Sequence, residues 1–438
     1  MRKILMGCLL VMGGAVFGAW QQQDFLITHW CQPPATAENF AVLARDGYNL
    51  TLITPDAKAS AKQQLDLAQQ YGLKALVQDN RISLKSMTTP AGQAQLAALI
   101  NEVKNHPALA GYFLTDEPSA VTFLDWARLT MFIKQRDPAH LAYINLYPCY
   151  ANQTQLGVFL KEKPQGPLGI PDNFAGVGDH RQTIVFYHEY LRRYVAEIHP
   201  ELISYDHYHF LKKDRSWWEL PWTWLADNRK DGEEYFLNLE MIRTAALNAN
   251  VPFLNIIQAC TIEKCWRLVK EDELRFLAYT TMAYGGQGIS WFLYWGPEPC
   301  GGMYQDGKRT ALADEVAEVN RDIKALGPEL MKMKSLQIYH SAPLPVGTEG
   351  METSPVKVSG GAALVGMFQA GKDRAFMVVN RAYDRPAELE LTFRLGSGKL
   401  LEFSLPEKQW KEVLTVTDGA RMKVKLPPGG GQLFKLVK

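Results

Sequence analysis

The chain has 438 residues, enough for one large folded unit and a smaller second one, and its 47% hydrophobic and 21% charged residues exclude long-range disorder. Lys plus Arg number 47 against 46 Asp plus Glu, so there is no basic excess to collect phosphates, and nucleic acid is not an expected partner. Aromatic content stands out, with 11 Trp, 18 Tyr and 19 Phe, many of the Trp and Tyr bunched together.

The first segment has the pattern of an export signal. Arg2 and Lys3 precede an apolar run from Ile4 to Phe17, and the small residues Gly18 and Ala19 lead into Gln21-Gln22-Gln23. The run is too short for a relaxed membrane span, so residues 1–19 are expected to be removed, leaving a secreted or periplasmic chain with no membrane span. The remaining cysteines, Cys31, Cys149, Cys260, Cys265 and Cys300, are odd in number and lack the paired spacing of a zinc site, so no disulfide is assigned.

From Asp24 to about Leu326, short apolar runs alternate with amphipathic ones. The predicted strands are Phe25–Trp30, Tyr48–Thr54, Lys74–Gln78, Leu109–Thr115, Leu141–Leu146, Leu202–Tyr208, Pro252–Gln258 and Gly288–Tyr294. Predicted helices between them include Ala59–Tyr71, Ala91–Asn105, Ala120–Arg136, Glu233–Ala249, Glu271–Tyr284 and Leu312–Leu326. In Ala120–Arg136 the spacing predicts an apolar face of Leu124, Ala127, Met131 and Ile133, with Arg128, Lys134 and Gln135 in water. Gly47 and Gly72 suit left-handed helix ends. Eight strands alternating with helices predict an α/β fold, a parallel (β/α)8 barrel over residues 20–330. No glycine-rich phosphate loop follows the first strand, which disfavours an open doubly wound sheet. From about Ser335 to Lys438, short alternating runs between Gly, Pro and Asp turns predict a C-terminal antiparallel β-sandwich.

In such a barrel the chemistry sits at the C-terminal strand ends. Those ends here are rich in aromatics, acids, amides and histidines, whereas connections on the opposite face, such as Asp46-Gly47, are plain. Thr115-Asp116-Glu117-Pro118 closes the fourth strand, where a carboxyl between aromatic walls acquires the raised pKa of a general acid; helix capping by Ser119 is the alternative use of the segment. Asp206 ends the sixth strand and is the expected second carboxylate, or else a structural acid paired with an Arg such as Arg181. With no acid at the end of the seventh strand, Glu117 and Asp206 are expected to span a wide gap, which suits inversion with Asp206 as base.

Sugar rings present apolar C–H faces and polar edges, so indoles and phenols beside carboxylates and amides point to a carbohydrate substrate. The candidate binding residues are His29, Trp30, Asn80, Tyr147, His207, Tyr208, Gln258 and Trp295. Trp217, Trp218, Trp222 and Trp224 are expected to wall the cleft, and Trp291 to be core. A metal held by Asp206, His207 and His209 lacks further evident ligands, so no metal or cofactor is expected.

Thr115-Asp116-Glu117-Pro118 resembles the Asn-Glu-Pro segment at the fourth strand end of clan A glycoside hydrolases, whose Glu is the acid/base. The barrel followed by a small sandwich is similar to hydrolases of the family 42 and family 5 type. The resemblance implies that Glu117 is the catalytic acid of an enzyme cleaving O-glycosidic bonds. Asp116 stands in place of the Asn, and Gln258 stands where clan A has its seventh-strand nucleophile, with Glu263 five residues beyond. An adjacent Asp-Glu pair also resembles substrate-assisted hexosaminidases, which implies that Asp116 orients an acetamido group and Glu117 is the acid. The departure at Gln258 leaves room for a noncatalytic carbohydrate-binding protein on the same barrel.

Overall fold

A computed structural model of the protein describes residues 20–159, 169–212, 234–262, 266–296 and 300–438. The export segment, Trp217, Trp218, Trp222, Trp224, Glu263 and Cys265 lie outside the described residues.

Eight parallel strands form one sheet: β1 (Leu26–His29), β2 (Leu50–Ile53), β3 (Lys74–Val77), β4 (Leu109–Asp116), β5 (Leu141–Leu146), β6 (Ile203–His207), β7 (Phe253–Gln258) and β8 (Gly288–Phe292). Their order, β1-β8-β7-β6-β5-β4-β3-β2, brings β2 round to β1. Asn49 bridges that seam: its backbone N–H donates to Ile27 at 3.0 Å, and its side chain accepts from the Ile27 N–H and donates to the Phe25 carbonyl, each at 2.8 Å. The sheet thereby closes into the expected barrel.

The helices are α1 (Ala37–Arg45), α2 (Ala61–Gln70), α3 (Pro90–Val103), α4 (Phe123–Lys134), a single turn α5 (Gln153–Leu156), α6 (Arg181–Ile198), α7 (Tyr235–Ala249), α8 (Glu271–Ala283) and α9 (Ala311–Leu330). Thr36, Ser60 and Thr89 cap the first three through their side-chain oxygens, and Gly47 and Gly72 follow α1 and α2 with φ of 89° and 70°. Ser119 makes no capping side-chain bond. The face of α4 also differs from expectation. Phe123, Leu129 and Ile133 are buried, whereas Leu124 and Met131 are 58% and 56% exposed. The face is set by the phase of Phe123, which packs against Tyr190 and Tyr194 of α6.

Alternation sorts the strands into two sets, except at the end of β4, where a register shift between Phe113 and Thr115 brings Asp116 beside Asn145 and into the mouth. Leu26, Leu50, Leu52, Leu76, Phe113, Leu141, Tyr143, Leu202, Leu254 and Ile256 fill the barrel interior. Ile27, Ile53, Val77, Tyr112, Ile144, Tyr205, Ile257 and Trp291 face the helices. Trp291 is core as expected, its indole N–H donating to Asn320 of α9 at 2.8 Å. This inside-outside sorting decides which strand-end residues can meet a ligand.

After α9 the chain enters nine strands: β9 (Lys334–His340), β10 (Val356–Ser359), β11 (Ala363–Ala370), β12 (Asp373–Asn380), β13 (Ala387–Phe393), β14 (Gly398–Ser404), β15 (Gln409–Val416), β16 (Arg421–Leu426) and β17 (Gly431–Val437). They pair antiparallel in sheets of six and three strands around their own apolar core. Gly366 on β11 meets the α8 backbone; a Cβ there would collide with the Ala283 carbonyl, so only glycine permits this approach of sandwich to barrel.

Candidate active site

At the C-terminal ends of the strands, a cavity of about 260 Å³ is lined by Trp30, Asp116, Glu117, Asn145, Tyr150, Asp206, Tyr208, Ile256, Ile262, Trp266, Phe292 and Cys300. A larger hollow of about 520 Å³ lies beside α4, where Asp125 is its only carboxylate among the lining residues. Chemistry rather than volume marks the first as the site.

Three carboxyls converge there. Asn145, inward on β5, gives its Nδ2 to Asp116 Oδ1 at 3.0 Å and to Asp206 Oδ1 at 2.9 Å. Its Oδ1 accepts from Ser204 Oγ at 3.0 Å, and Ser204 is bonded to Tyr143 at 2.8 Å, so the clamp is anchored in the barrel interior. The Asn145 carbonyl also takes the Glu117 N–H at 2.9 Å. That bond holds Glu117 at φ +45°, a left-handed conformation uncommon for a non-glycine residue and found preferentially at functional sites. From α6, Tyr190 donates to the Pro118 carbonyl at 2.8 Å and Tyr187 to the Tyr147 carbonyl at 2.7 Å, fixing the turns after β4 and β5.

The electrostatics follow from this crowding. Burial, then the charges of Asp206 and Asp116, raise the Glu117 carboxyl well above the usual carboxylate range. Asp206, buried beside them, is pushed up to about 8, mainly by burial and then by Asp116. Asp116 rises to about 6, again through desolvation, and Asn145 opposes the rise; enclosed by protein at the mouth, it still keeps an open surface toward the cleft. Glu117 and Asp206 are hydrogen-bonded to each other, an arrangement in which one of the two carries a proton. The wide gap expected between these two acids is therefore absent. Both side chains turn into the same cleft, and β5 between them contributes the slim Asn145 rather than a spacer.

An aromatic wall faces the acids. The rings of Tyr208 and Trp266 lie 4.1 Å apart, Phe292 is 5.0 Å from Tyr208, and Trp30 meets Phe113 edge-on at 5.5 Å.

Among the residues singled out from the sequence, the structure brings together Asp116, Glu117, Asp206, Trp30 and Tyr208. Tyr147 is half-buried outside the lining, yet near enough that burial and the three carboxyls push its phenol up to about 12. His29 turns away from the cavity: it is fully buried on the helix side, bonded to Thr51 at 2.9 Å and packed on Tyr48 and Tyr294, and burial lowers its pKa to about 3. His207 also faces outward, bonded to Asn238 at 3.0 Å with its ring behind Tyr150. Each is the odd neighbour of an inward residue, so alternation explains both corrections.

Gln258 is buried as well. Its Oε1 accepts from the Phe210 N–H at 2.8 Å, and its Nε2 donates to the carbonyls of Phe210, Cys260 and Arg267 at 3.1, 3.4 and 3.1 Å. It staples two loops together and does not touch the cavity. Trp295 stacks on Tyr304 at 5.3 Å outside the lining, and Asn80 is exposed in the loop after β3. Arg181 pairs with Asp172 at 3.6 Å, not with Asp206. Asp206 and His207 point to opposite faces and His209 packs among Phe210, Tyr235 and Phe276, so the three do not converge on a metal.

Asn145, Tyr150 and Trp266 complete the site. The signal for Asn145 was available in the sequence: Leu141, Tyr143 and Asn145 share the inward face, and a lone amide ending an apolar inward series at the catalytic end of a strand is a candidate by position.

No protein-family model matches the chain, and no similar curated protein is found. Solved structures do share the fold. A glycoside hydrolase of family 5 from Bacteroides vulgatus aligns with a TM-score of 0.57 and 11% identity, over 95% of this chain and 90% of that one. Another solved glycoside hydrolase aligns with a TM-score of 0.56 and 13% identity, over 96% and 95% of the two chains. The likeness in each spans barrel and sandwich together, so the fold of this chain is one that glycoside hydrolases use.

Proposed function

We propose that the protein is an exported glycoside hydrolase cleaving O-glycosidic bonds of an oligo- or polysaccharide. The observation that carries this reading is the proton-holding pair Glu117 and Asp206, with Asp116 open beside it, in an aromatic-walled cleft at the strand ends of the barrel. The fold's likeness to solved glycoside hydrolases supports it.

Cleavage of a glycosidic bond needs a proton delivered to the leaving oxygen while positive charge builds on the sugar. Glu117 supplies the proton, because crowding keeps it protonated near neutral pH. Asp206 accepts the hydrogen bond that orients this proton. An inverting reaction requires carboxyls about 6.5–9.5 Å apart to admit a water; Glu117 and Asp206 touch, so Asp206 tunes the acid and does not act as a base across a gap. Asp116 ionises first of the three and stabilises the positive sugar, whose anomeric carbon is then captured by a water that gives up its proton to Asp116. Trp30, Tyr208 and Trp266 offer flat faces for the sugar's C–H surface.

A second reading is favoured by the openness of Asp116 beside Glu117: Asp116 orients an acetamido group that itself attacks the anomeric carbon. A panel of aryl glycosides and oligosaccharides tests both. Turnover confined to N-acetylated sugars selects the substrate-assisted form. Binding without turnover anywhere in the panel selects a noncatalytic carbohydrate-binding protein.

A further inference from the structure

The inward residues at the barrel mouth divide into sectors. β4 to β6 carry acids, and β6 through β8 to β1 carry aromatics. The remaining sector, the ends of β1 to β3, holds Gln32, Thr54 and Gln78. Thr54 continues the inward series of Leu50 and Leu52, and Gln78 continues that of Leu76. Gln32 Nε2 donates to Thr54 Oγ1 at 2.6 Å and to Gln78 Oε1 at 3.3 Å, and Thr54 Oγ1 donates to Gln78 Oε1 at 3.3 Å.

We infer that this triad is a second sugar site, which binds the ring next to the one cleaved and makes the enzyme selective for oligosaccharides; the inference rests on the glycoside hydrolase reading. The internal bonds of the triad use one end of each amide. Gln78 Nε2 and Gln32 Oε1 have no hydrogen-bond partner among the described residues, and both side chains are partly open. Two N–H donors beside a carbonyl acceptor match neighbouring sugar hydroxyls, each of which both donates and accepts.

Charge and distance agree. Arg81, three residues beyond Gln78, is spent on Asp79, which takes its backbone N–H, Nε and Nη2 at 2.8 to 2.9 Å, so that pair leaves no unpaired charge beside Gln78. Strands lie about 4.8 Å apart; Gln32 and Thr54 follow β1 and β2, two to three strands round from Glu117 and further than one ring reaches, whereas Gln78 follows β3, next to β4, and bridges toward the ring being cleaved.

The test compares wild type with Gln32→Leu and Gln78→Leu, which keep bulk and remove hydrogen bonding. Substrates are the 4-nitrophenyl monoglycoside and the tetrasaccharide of whichever sugar wild type cleaves best among gluco-, manno-, galacto- and N-acetylglucosamine series. KM for the tetrasaccharide is expected to rise about five- to tenfold in each variant, as for the loss of one neutral hydrogen bond, with KM for the monoglycoside within twofold in Gln32→Leu, the more distant of the two. An unchanged tetrasaccharide KM in either variant, or equal rises on both substrates in Gln32→Leu, overturns the inference. If wild type cleaves nothing, the hydrolase reading fails separately. Calorimetric titration with cellotetraose, mannotetraose and chitotetraose then decides the site: binding weakened in both variants upholds it, and undiminished or absent binding overturns it.

Discussion

The carboxyl of Glu117 is hydrogen-bonded to the carboxyl of Asp206, though the two residues belong to different strands with β5 between them. Two carboxylates cannot hold such contact when both are charged, so the pair retains a proton into the neutral range, and its ionisations belong to the pair as a unit. Asp116, joined to Asp206 through the Asn145 amide, is the first of the three to lose its proton.

The pH dependence of turnover follows. Activity needs Asp116 ionised and Glu117 still protonated, so kcat/KM is expected to rise through about pH 6 and to fall only where Glu117 gives up its proton, well above the usual carboxylate range. A kcat/KM profile measured from pH 4 to 10 checks this; activity still climbing at pH 9.5 would contradict the assignment.

Asn145→Leu should lower kcat by about ten- to a hundredfold, since the carboxyls lose the amide that positions them. Asn145 holds the pKa values of Asp116 and Asp206 down, so its loss moves the acid limb of the profile to higher pH. A fall in kcat with an unmoved acid limb would assign Asn145 to packing alone.

Asp206 also links stability to pH. Its folded-state pKa of about 8 lies above its unfolded value, so the folded protein binds the extra proton and the contribution is complete below about pH 4. It is lost as pH rises through 8. Asp206→Asn should therefore raise the thermal midpoint more at pH 8.5 than at pH 5, as differential scanning calorimetry would show. Equal changes at both pH values would deny the raised pKa.

Gln258 makes a structural prediction. Its two amide N–H groups serve the Phe210 and Arg267 carbonyls, with the Cys260 carbonyl sharing one of them, which a carboxylate cannot do, so Gln258→Glu should destabilise the protein by about 2 kcal/mol or more and restore no nucleophile. Denaturant unfolding measures the loss; full stability and increased turnover in the Gln258→Glu variant would contradict this role.

The barrel was legible because a helix-strand alternation repeated eight times survives errors of one or two residues at each boundary. Glu117 and Asp116 were legible because two acids and a proline ending an apolar strand have few structural uses. What the sequence concealed is direction. His29 and His207 stand one residue from Trp30 and Asp206, and only the phase of each strand shows that the histidines face the helices. On α4 the same difficulty put Leu124 and Met131 on the wrong side. Gln258 was hidden for another reason: its partners are backbone atoms of loops whose meeting depends on the tertiary fold.

The most direct test is the turnover of Glu117→Gln on an unactivated oligosaccharide at pH 7, beside its thermal midpoint. A fall in kcat on the order of a hundredfold or more is expected, the usual contribution of a general acid, with the midpoint no lower than that of wild type because the amide removes a buried titrating group. Near-normal turnover in a folded Glu117→Gln protein would contradict it.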